Sequence, residues 1–377
     1  MLWDQAIYLD HGATTPPYPQ VVAWVNEVMS GAWGNPASIH GWGERAALVM
    51  ERSRLQVAEL INCAPEQIIF TSGGTEANNL AIWGKVWRYD QPQHLITSQV
   101  EHAAIAQPMD FLQRHGWQVT RLPVDSYGLV DPQALIGALQ PNTVLVSIIY
   151  GQNEVGSLQP IHELARICQA TRVAFHTDAV QVVGKLPLDL QALPVDLLSL
   201  SGHKFYGIPG AGALFCRYPQ ELTPFLQGGG QEAGLRSGTQ PLPAIAALGL
   251  AAELSKADLT TEADRLRQLR DQLWVGLSSI PQLKMTGPMG SDRLPHHLSF
   301  CQAQLNGREV VRRLNQAGIG ASSGSACSSG KISPSPILLA MGYDYLEATG
   351  SIRLTLGRST TAAAIEYTLE VLGGIFS

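Results

Sequence analysis

Between about residue 65 and residue 220, short β-rich runs alternate with longer stretches of helix formers, the pattern of a parallel sheet covered by helices. The runs place strands near Gln67 to Phe70, His94 to Thr97, Gln118 to Leu122, Thr143 to Ile149, Arg172 to Thr177, Asp196 to Leu200 and Ala213 to Arg217. Farther along, Pro243 to Lys256 is rich in Ala and Leu, and Thr261 to Ser278 carries apolar residues at helical spacing, so both read as helices. Strand-like Leu298 to Phe300 and Ile352 to Leu356 lie beyond them. A chain of 377 residues exceeds what one core ordinarily organises. The expected division is a large domain over residues 12–256 and a smaller α+β domain over 257–377, joined by the N-terminal segment 1–11.

An open parallel sheet binds ligands outside the carboxyl ends of its strands. Chemically capable residues follow five of the runs: Thr71-Ser72-Gly73-Gly74-Thr75, Glu101-His102, Asn153, Asp178, and Ser201-Gly202-His203-Lys204. Five strand ends therefore point to one shared site. A lysine held at such an end forms a Schiff base with a carbonyl cofactor if its amine is neutral. Asp178 is placed to pair with a protonated ring nitrogen, and Gln181 to reach a ring hydroxyl. The glycine turn opens a helical run from Glu76 to Trp83, where backbone N–H groups suit a phosphate. It has neither the lysine of a P-loop nor the spacing of a dinucleotide fingerprint. His102 begins another helix, where an imidazole can stack on a ring and exchange protons. Each feature has a plain alternative when taken alone: a surface lysine, a helix cap, a tight turn, a helix-start histidine.

Composition narrows the partners. The chain is 45% hydrophobic and 15% charged with a formal net charge of -6, and it has no basic tract, so nucleic acid is an unexpected ligand. No segment offers the apolar length of a membrane span, and the start carries no export signal, so a soluble cytoplasmic protein is expected. Five cysteines, an odd number, do not suggest a disulfide framework. Four sit in apolar contexts, whereas Cys327 lies in the Ser- and Gly-rich stretch from Ala321 to Lys331, where mobility and exposure are expected. A loop thiol is reactive only with a lowered pKa and is otherwise inert. Adjacent His296 and His297 in a strand would face opposite ways, so no metal site is expected.

The order and spacing of Ile69-Phe70-Thr71-Ser72-Gly73-Gly74-Thr75-Glu76, Glu101-His102, Asn153-Glu154-Val155-Gly156, His176-Thr177-Asp178-Ala179-Val180-Gln181 and Ser201-Gly202-His203-Lys204 resemble the cysteine desulfurases of the NifS/IscS type, short-loop group. Tyr8-Leu9-Asp10, Gly34-Asn35-Pro36-Ala37-Ser38, Arg236-Ser237-Gly238-Thr239 and Ser322-Ser323-Gly324-Ser325-Ala326-Cys327 extend the likeness over nearly the whole chain. The resemblance implies an α/β fold-type I transferase with a mainly parallel seven-stranded sheet, and pyridoxal 5'-phosphate as cofactor. It implies that Lys204 carries the cofactor, Asp178 holds its ring nitrogen, Gln181 contacts the ring oxygen and His102 stacks over the ring. Gly74, Thr75, Ser201 and His203 would hold the phosphate, with Thr239 reaching the phosphate of a neighbouring subunit in a homodimer. Asn35, Asn153 and Arg353 would bind L-cysteine, the guanidinium fork matching its carboxylate. Cys327 would receive the sulfur as a persulfide for an acceptor protein such as an iron-sulfur scaffold.

Two departures accompany the likeness. The chain stops at Ser377 without the longer tail that many relatives use to engage a scaffold, and His11-Gly12 and Gly151-Gln152 differ from common family residues near the pocket. A carbon-sulfur or selenocysteine lyase on the same fold, and a non-catalytic scaffold, are the alternatives.

Overall fold

The computed structural model describes residues 6–281, 283–304, 306–324 and 333–376. After a short strand β1 (Ile7–Tyr8), seven strands form one sheet: β2 (Ile68–Thr71), β3 (His94–Ser98), β4 (Gln118–Leu122), β5 (Thr143–Ile149), β6 (Ala174–Asp178), β7 (Leu197–Ser201) and β8 (Gly212–Cys216). Their order is β2-β8-β7-β6-β5-β3-β4. β8 runs antiparallel to both neighbours, and the remaining ladders are parallel. This is the α/β, mainly parallel sheet that the alternation of runs implies. The largest displacement from expectation is at β6, which begins at Ala174 because Arg172 caps the helix Ile161–Thr171 in a left-handed conformation with φ 59°.

Side chains alternate between the two faces of a strand, and the core divides accordingly. Leu198, Leu200, Ala213 and Phe215 join the larger buried cluster, whereas Leu197, Leu214 and Cys216 join the cluster on the opposite face. With both faces covered by apolar layers, the ends of the strands are where polar groups can gather.

Reversal of β8 brings its first residue to the functional end. Gly212 pairs with Thr71 on one side and Ser201 on the other, the last residues of β2 and β7. A Cβ on Gly212 would stand 2.6 Å from the Leu200 carbonyl oxygen and 2.7 Å from the Gly73 carbonyl carbon, so only glycine fits. Gly212→Ala is expected to lower stability by about 1–3 kcal/mol, measured by urea unfolding.

The rest of the chain builds β9 (Lys284–Met285), β10 (His297–Cys301), β11 (Ile319–Gly320), β12 (Ser322–Ser323) and β13 (Ser351–Thr355). Four of them form an antiparallel sheet in the order β12-β13-β10-β9, and β11 pairs in parallel with β1. Leu273, Phe300, Leu354 and Leu372 share a buried cluster here, and Leu9 joins it. The N-terminal segment is thereby tied to this part of the molecule, and the backbone that follows it, from Asp10 to Thr15, crosses to the large sheet.

Candidate active site

A cavity of about 350 Å³ opens at the carboxyl ends of the parallel strands. Lys204, Asp178, Gln181, Ser201, His203, Gly74, Thr75, His102, Asn153 and Arg353 all line it. Asn35 and Thr239 do not: both are exposed on this chain, and the Asn35 Oδ1 accepts from the Ala37 N–H at 3.0 Å in its own turn.

Lys204 ends the short turn Gly202–Lys204 directly after β7. Its Nζ donates to the carbonyl oxygens of Gly12 at 2.7 Å and Ala13 at 2.8 Å. Burial, and then the nearby Arg353 charge, lower its pKa to about 8, against the opposing pull of Asp10 and Asp178. The amine is thus brought towards the neutral form a nucleophile and base requires.

Asp178 is the last residue of β6 and is buried. Its Oδ1 accepts from the Val180 N–H at 3.0 Å, and its Oδ2 from Asn78 Nδ2 at 2.7 Å. Both carboxylate oxygens are thereby held in a fixed orientation. Gln181 lies in the following turn, buried rather than on a solvated helix, and its Nε2 donates to the Gly12 carbonyl at 2.9 Å. One carbonyl therefore positions both Lys204 and Gln181.

The glycine turn leads into the helix Gly74–Val86, whose first N–H groups have no partner within the helix. A Cβ on Gly74 would meet Val180 Cγ2 at 2.6 Å, so its absence lets the turn lie against the segment after β6. His203 contacts Thr14 Oγ1 through Nδ1 at 3.1 Å, and burial with the charges of Lys204 and Lys185 lowers its pKa to about 4. It is a neutral imidazole near pH 7. His102 caps the helix Ala103–Arg114, with Nδ1 accepting from the Ala104 N–H at 3.1 Å, which leaves the ring proton to Nε2.

Arg353, on β13, enters from the other side. Its Nη1 donates to the Asn153 carbonyl at 3.0 Å and its Nη2 to Asp10 Oδ1 at 2.9 Å. An arginine held by two partners presents a fixed planar fork, which suits a carboxylate.

Four contributors were not singled out from the sequence for these roles: Asn78, Asp10, and the Gly12 and Ala13 carbonyls. Asn78 follows Gly74 by four residues, the spacing of one helix face, and that signal was available. Asp10 and the two carbonyls have no local signal, because their partners lie far along the chain. His11 and Gln152 are set back from the cavity, each next to a residue that lines it. Neither lines the cavity: His11 is buried, and Gln152 is a buried brace whose Oε1 accepts from the Val155 N–H at 3.0 Å and whose Nε2 donates to the Val100 carbonyl at 3.2 Å.

Cys327 lies outside the described residues. Cys168, Cys216 and Cys301 are buried and Cys63 half-buried, and desolvation pushes all four thiols up to about 12. They behave as inert apolar groups. No cluster of three or more potential metal ligands occurs among the described residues.

The cavity combines a near-neutral amine, a buried carboxylate, free helix N–H groups and a guanidinium. Gln181 Oε1, Ser201 Oγ and Asn78 Oδ1 are buried in its wall with no protein partner. Such atoms ordinarily meet a polar ligand, since an unsatisfied buried group is costly. The donor set fits a planar heterocycle that carries a carbonyl and a phosphate.

The aminotransferase class-V family model matches residues 7–368. A cysteine desulfurase IscS of Dictyoglomus turgidum is 42% identical over 368 residues, covering 97% of this chain and 93% of its own. One from Methanosarcina thermophila is 40% identical over 370 residues, covering 98% and 91%. Among solved structures, a NifS-like protein aligns with a TM-score of 0.92 at 34% identity, over 98% of this chain and 99% of that one. SspA in complex with cysteine aligns with a TM-score of 0.82 at 34% identity, over 93% and 98%. No described helix is long and apolar enough to cross a membrane. With strand ends of one sheet gathered around a single lysine, and likeness running almost from end to end, this chain belongs to the class-V aminotransferase family, among its cysteine desulfurases of the NifS/IscS type.

Proposed function

We propose that this chain converts L-cysteine and the thiol of Cys327 into L-alanine and a Cys327 persulfide, with pyridoxal 5'-phosphate as cofactor. The observation that carries the reading is the convergence of Lys204 and Asp178 on one cavity beside Arg353. When bound, the cofactor supplies a carbonyl that condenses with amines and a protonated ring that accepts the electron pair of a broken bond at the substrate α-carbon.

The chain's own residues do the rest. Asp178, oriented by Asn78 and the Val180 N–H, pairs with the ring nitrogen. Gly74, Thr75, Ser201 and His203 hold the phosphate, and Gln181 the ring oxygen. His102 stacks over the ring, with a proton on Nε2 to exchange. Arg353 and Asn153 fix the substrate carboxylate, which aims the α-carbon at Lys204. Lys204 Nζ takes the α-proton and returns it as the product forms. The Cys327 thiolate attacks the substrate sulfur: the S–S bond forms, the carbon–sulfur bond breaks, and its electron pair, with a proton, ends on the alanine methyl group.

Thr239 and Asn35, exposed and outside their own chain's cavity, act across a homodimer interface, Thr239 on the partner's phosphate and Asn35 on substrate. The persulfide then passes to an acceptor thiol, for instance in iron-sulfur cluster assembly.

Mass analysis after one turnover with L-cysteine tests the proposal. Alanine together with a Cys327 peptide heavier by one sulfur atom is expected, and Cys327→Ser should lose that adduct. Pyruvate and ammonia without an adduct would make the chain a β-eliminating lyase instead.

A further inference from the structure

β2 is an edge strand of the large sheet, paired with β8 alone. Its outward-facing N–H groups, on Phe70 and then two residues on at Ser72, have no strand to meet, and an unpaired edge ordinarily invites a neighbour. Two carboxylates meet them instead. Glu232 Oε2 accepts from the Phe70 N–H at 2.9 Å, and Glu76 Oε2 from the Ser72 N–H at 2.8 Å.

Each carboxylate also holds an arginine. Arg54 forms a two-pronged pair with Glu232, Nη1 to Oε2 at 2.9 Å and Nη2 to Oε1 at 3.1 Å, and its Nη1 donates to the Ile68 carbonyl at 2.6 Å. Arg236 pairs with Glu76, Nε to Oε1 at 2.7 Å and Nη2 to Oε2 at 3.3 Å. The Glu232 side chain is 1% exposed and the Arg54 side chain 11%. Solvent therefore screens this pair little.

Glu232 and Arg236 belong to the loop 228–239, and of the amides they reach, directly or through Glu76, Phe70 precedes the turn 71–75 and Ser72 lies within it. The backbone shows how firmly the contact is imposed. Glu232 and Ala233 are consecutive non-glycine residues with φ 50° and 54°, a left-handed conformation that L residues adopt at a cost. Such strain persists where surrounding interactions over-determine it, and Glu232 has four hydrogen-bond donors: two from Arg54, the Phe70 N–H, and Gln240 Nε2 at 3.3 Å.

We infer that Glu232 and Arg236 are positioning residues that lock the loop 228–239 and the glycine turn 71–75 into one body, so that the placement of the phosphate cradle depends on carboxylates that never touch the phosphate. The inference rests on the proposed cofactor. It also joins the loop bearing Thr239 to its own chain's cradle, so that in a dimer the two phosphate sites share one rigid unit.

The test titrates apo protein with pyridoxal 5'-phosphate, followed by cofactor absorbance, and measures hydrogen exchange at the Phe70 and Ser72 amides without cofactor. Glu232→Gln keeps the shape and removes the charge; its Kd for the cofactor is expected to rise roughly tenfold. The Phe70 amide should exchange faster in the same variant. Arg236→Gln, which opens the less buried pair, should act in the same direction, with the faster exchange at Ser72, and serves if Glu232→Gln does not fold. A Kd within about twofold of wild type in the folded variants, even with a lower Tm, reduces the pairs to plain stabilisers and overturns the inference. Failure of the wild-type protein to take up the cofactor would sink the proposed function instead, and the amide exchange reads the clamp independently of it.

Discussion

Lys204→Ala is expected to reduce kcat/KM for alanine formation from L-cysteine by at least about 10⁴-fold, the upper range for loss of a positioned acid-base group. Among the described residues, no second lysine lines the cavity to take over. Lys185 is buried behind the site and lines a separate small cavity rather than the active one. Lys204 alone is aimed by two backbone carbonyls, Gly12 and Ala13, and its depressed pKa depends on this buried position beside Arg353. Lys204→Arg should lose as much, because a guanidinium does not give up its proton in the accessible range and forms no Schiff base. Borohydride reduction followed by peptide mass analysis gives the structural counterpart, with the cofactor trapped on Lys204 in the wild type and on no residue in either variant. Alanine production within about tenfold of wild type in Lys204→Ala would remove this residue from the chemistry.

Glu101→Gln is expected to stabilise the protein progressively as pH rises. Glu101 is buried between the ends of β3 and β5, where its Oε1 accepts from Ser98 Oγ at 2.5 Å and from the Ile149 N–H at 3.0 Å. Burial pushes its pKa up to about 8; the bonds from Ser98 and Ile149 pull the other way, and the Asp178 charge adds to the rise. In the unfolded chain the same group titrates near about 4.3. Between these values the folded protein keeps a proton that the unfolded chain has released, so unfolding releases that proton and stability falls with rising pH. The loss is absent below about pH 4.3, grows through the window up to about pH 8, and is constant above it.

Glutamine has no proton to lose there, so the stability of the variant relative to wild type should climb across that window by on the order of a few kcal/mol. Urea unfolding of both proteins from pH 5 to pH 9 makes the measurement. Parallel curves would mean that Glu101 is ionised in the folded state.

Much of this site was legible because open parallel sheets gather function at one end. Lys204, Asp178 and Asn153 each follow a strand that reads as apolar in the sequence, and periodicity placed those strands within two residues of β5, β6 and β7. The turn 71–75 was recognisable from its glycines, and His102 from its place before a helix. The direction of β8 was not legible. Its run, Gly212 to Cys216, has the same apolar composition as the strands that pair in parallel, and only the short return after Lys204 makes it antiparallel.

The orientations of His11 and Gln152 were not legible for a related reason. Both stand next to residues that line the cavity, and adjacency in sequence says nothing about which way a side chain turns. His11 faces Gly357, where an added Cβ would stand 2.2 Å from its ring. Gln152 turns back to bind the loop that bears it. Asn35 and Thr239 illustrate the converse, polar residues in recognisable motifs that one chain leaves exposed and away from its cavity.

By itself the sequence determined the strands, the end of the sheet that carries chemistry, and the identity of the lysine and carboxylate there. Those follow from local periodicity and from a rule of sheet geometry. Only the tertiary structure decided that one carbonyl, Gly12, holds both Lys204 and Gln181, that Asp10 grips Arg353 across the two parts of the molecule, and that Glu232 closes the edge of β2. The physical reason is that hydrogen bonds and ion pairs between distant segments are set by how packed layers meet, and neither residue of such a pair carries a local mark of its partner.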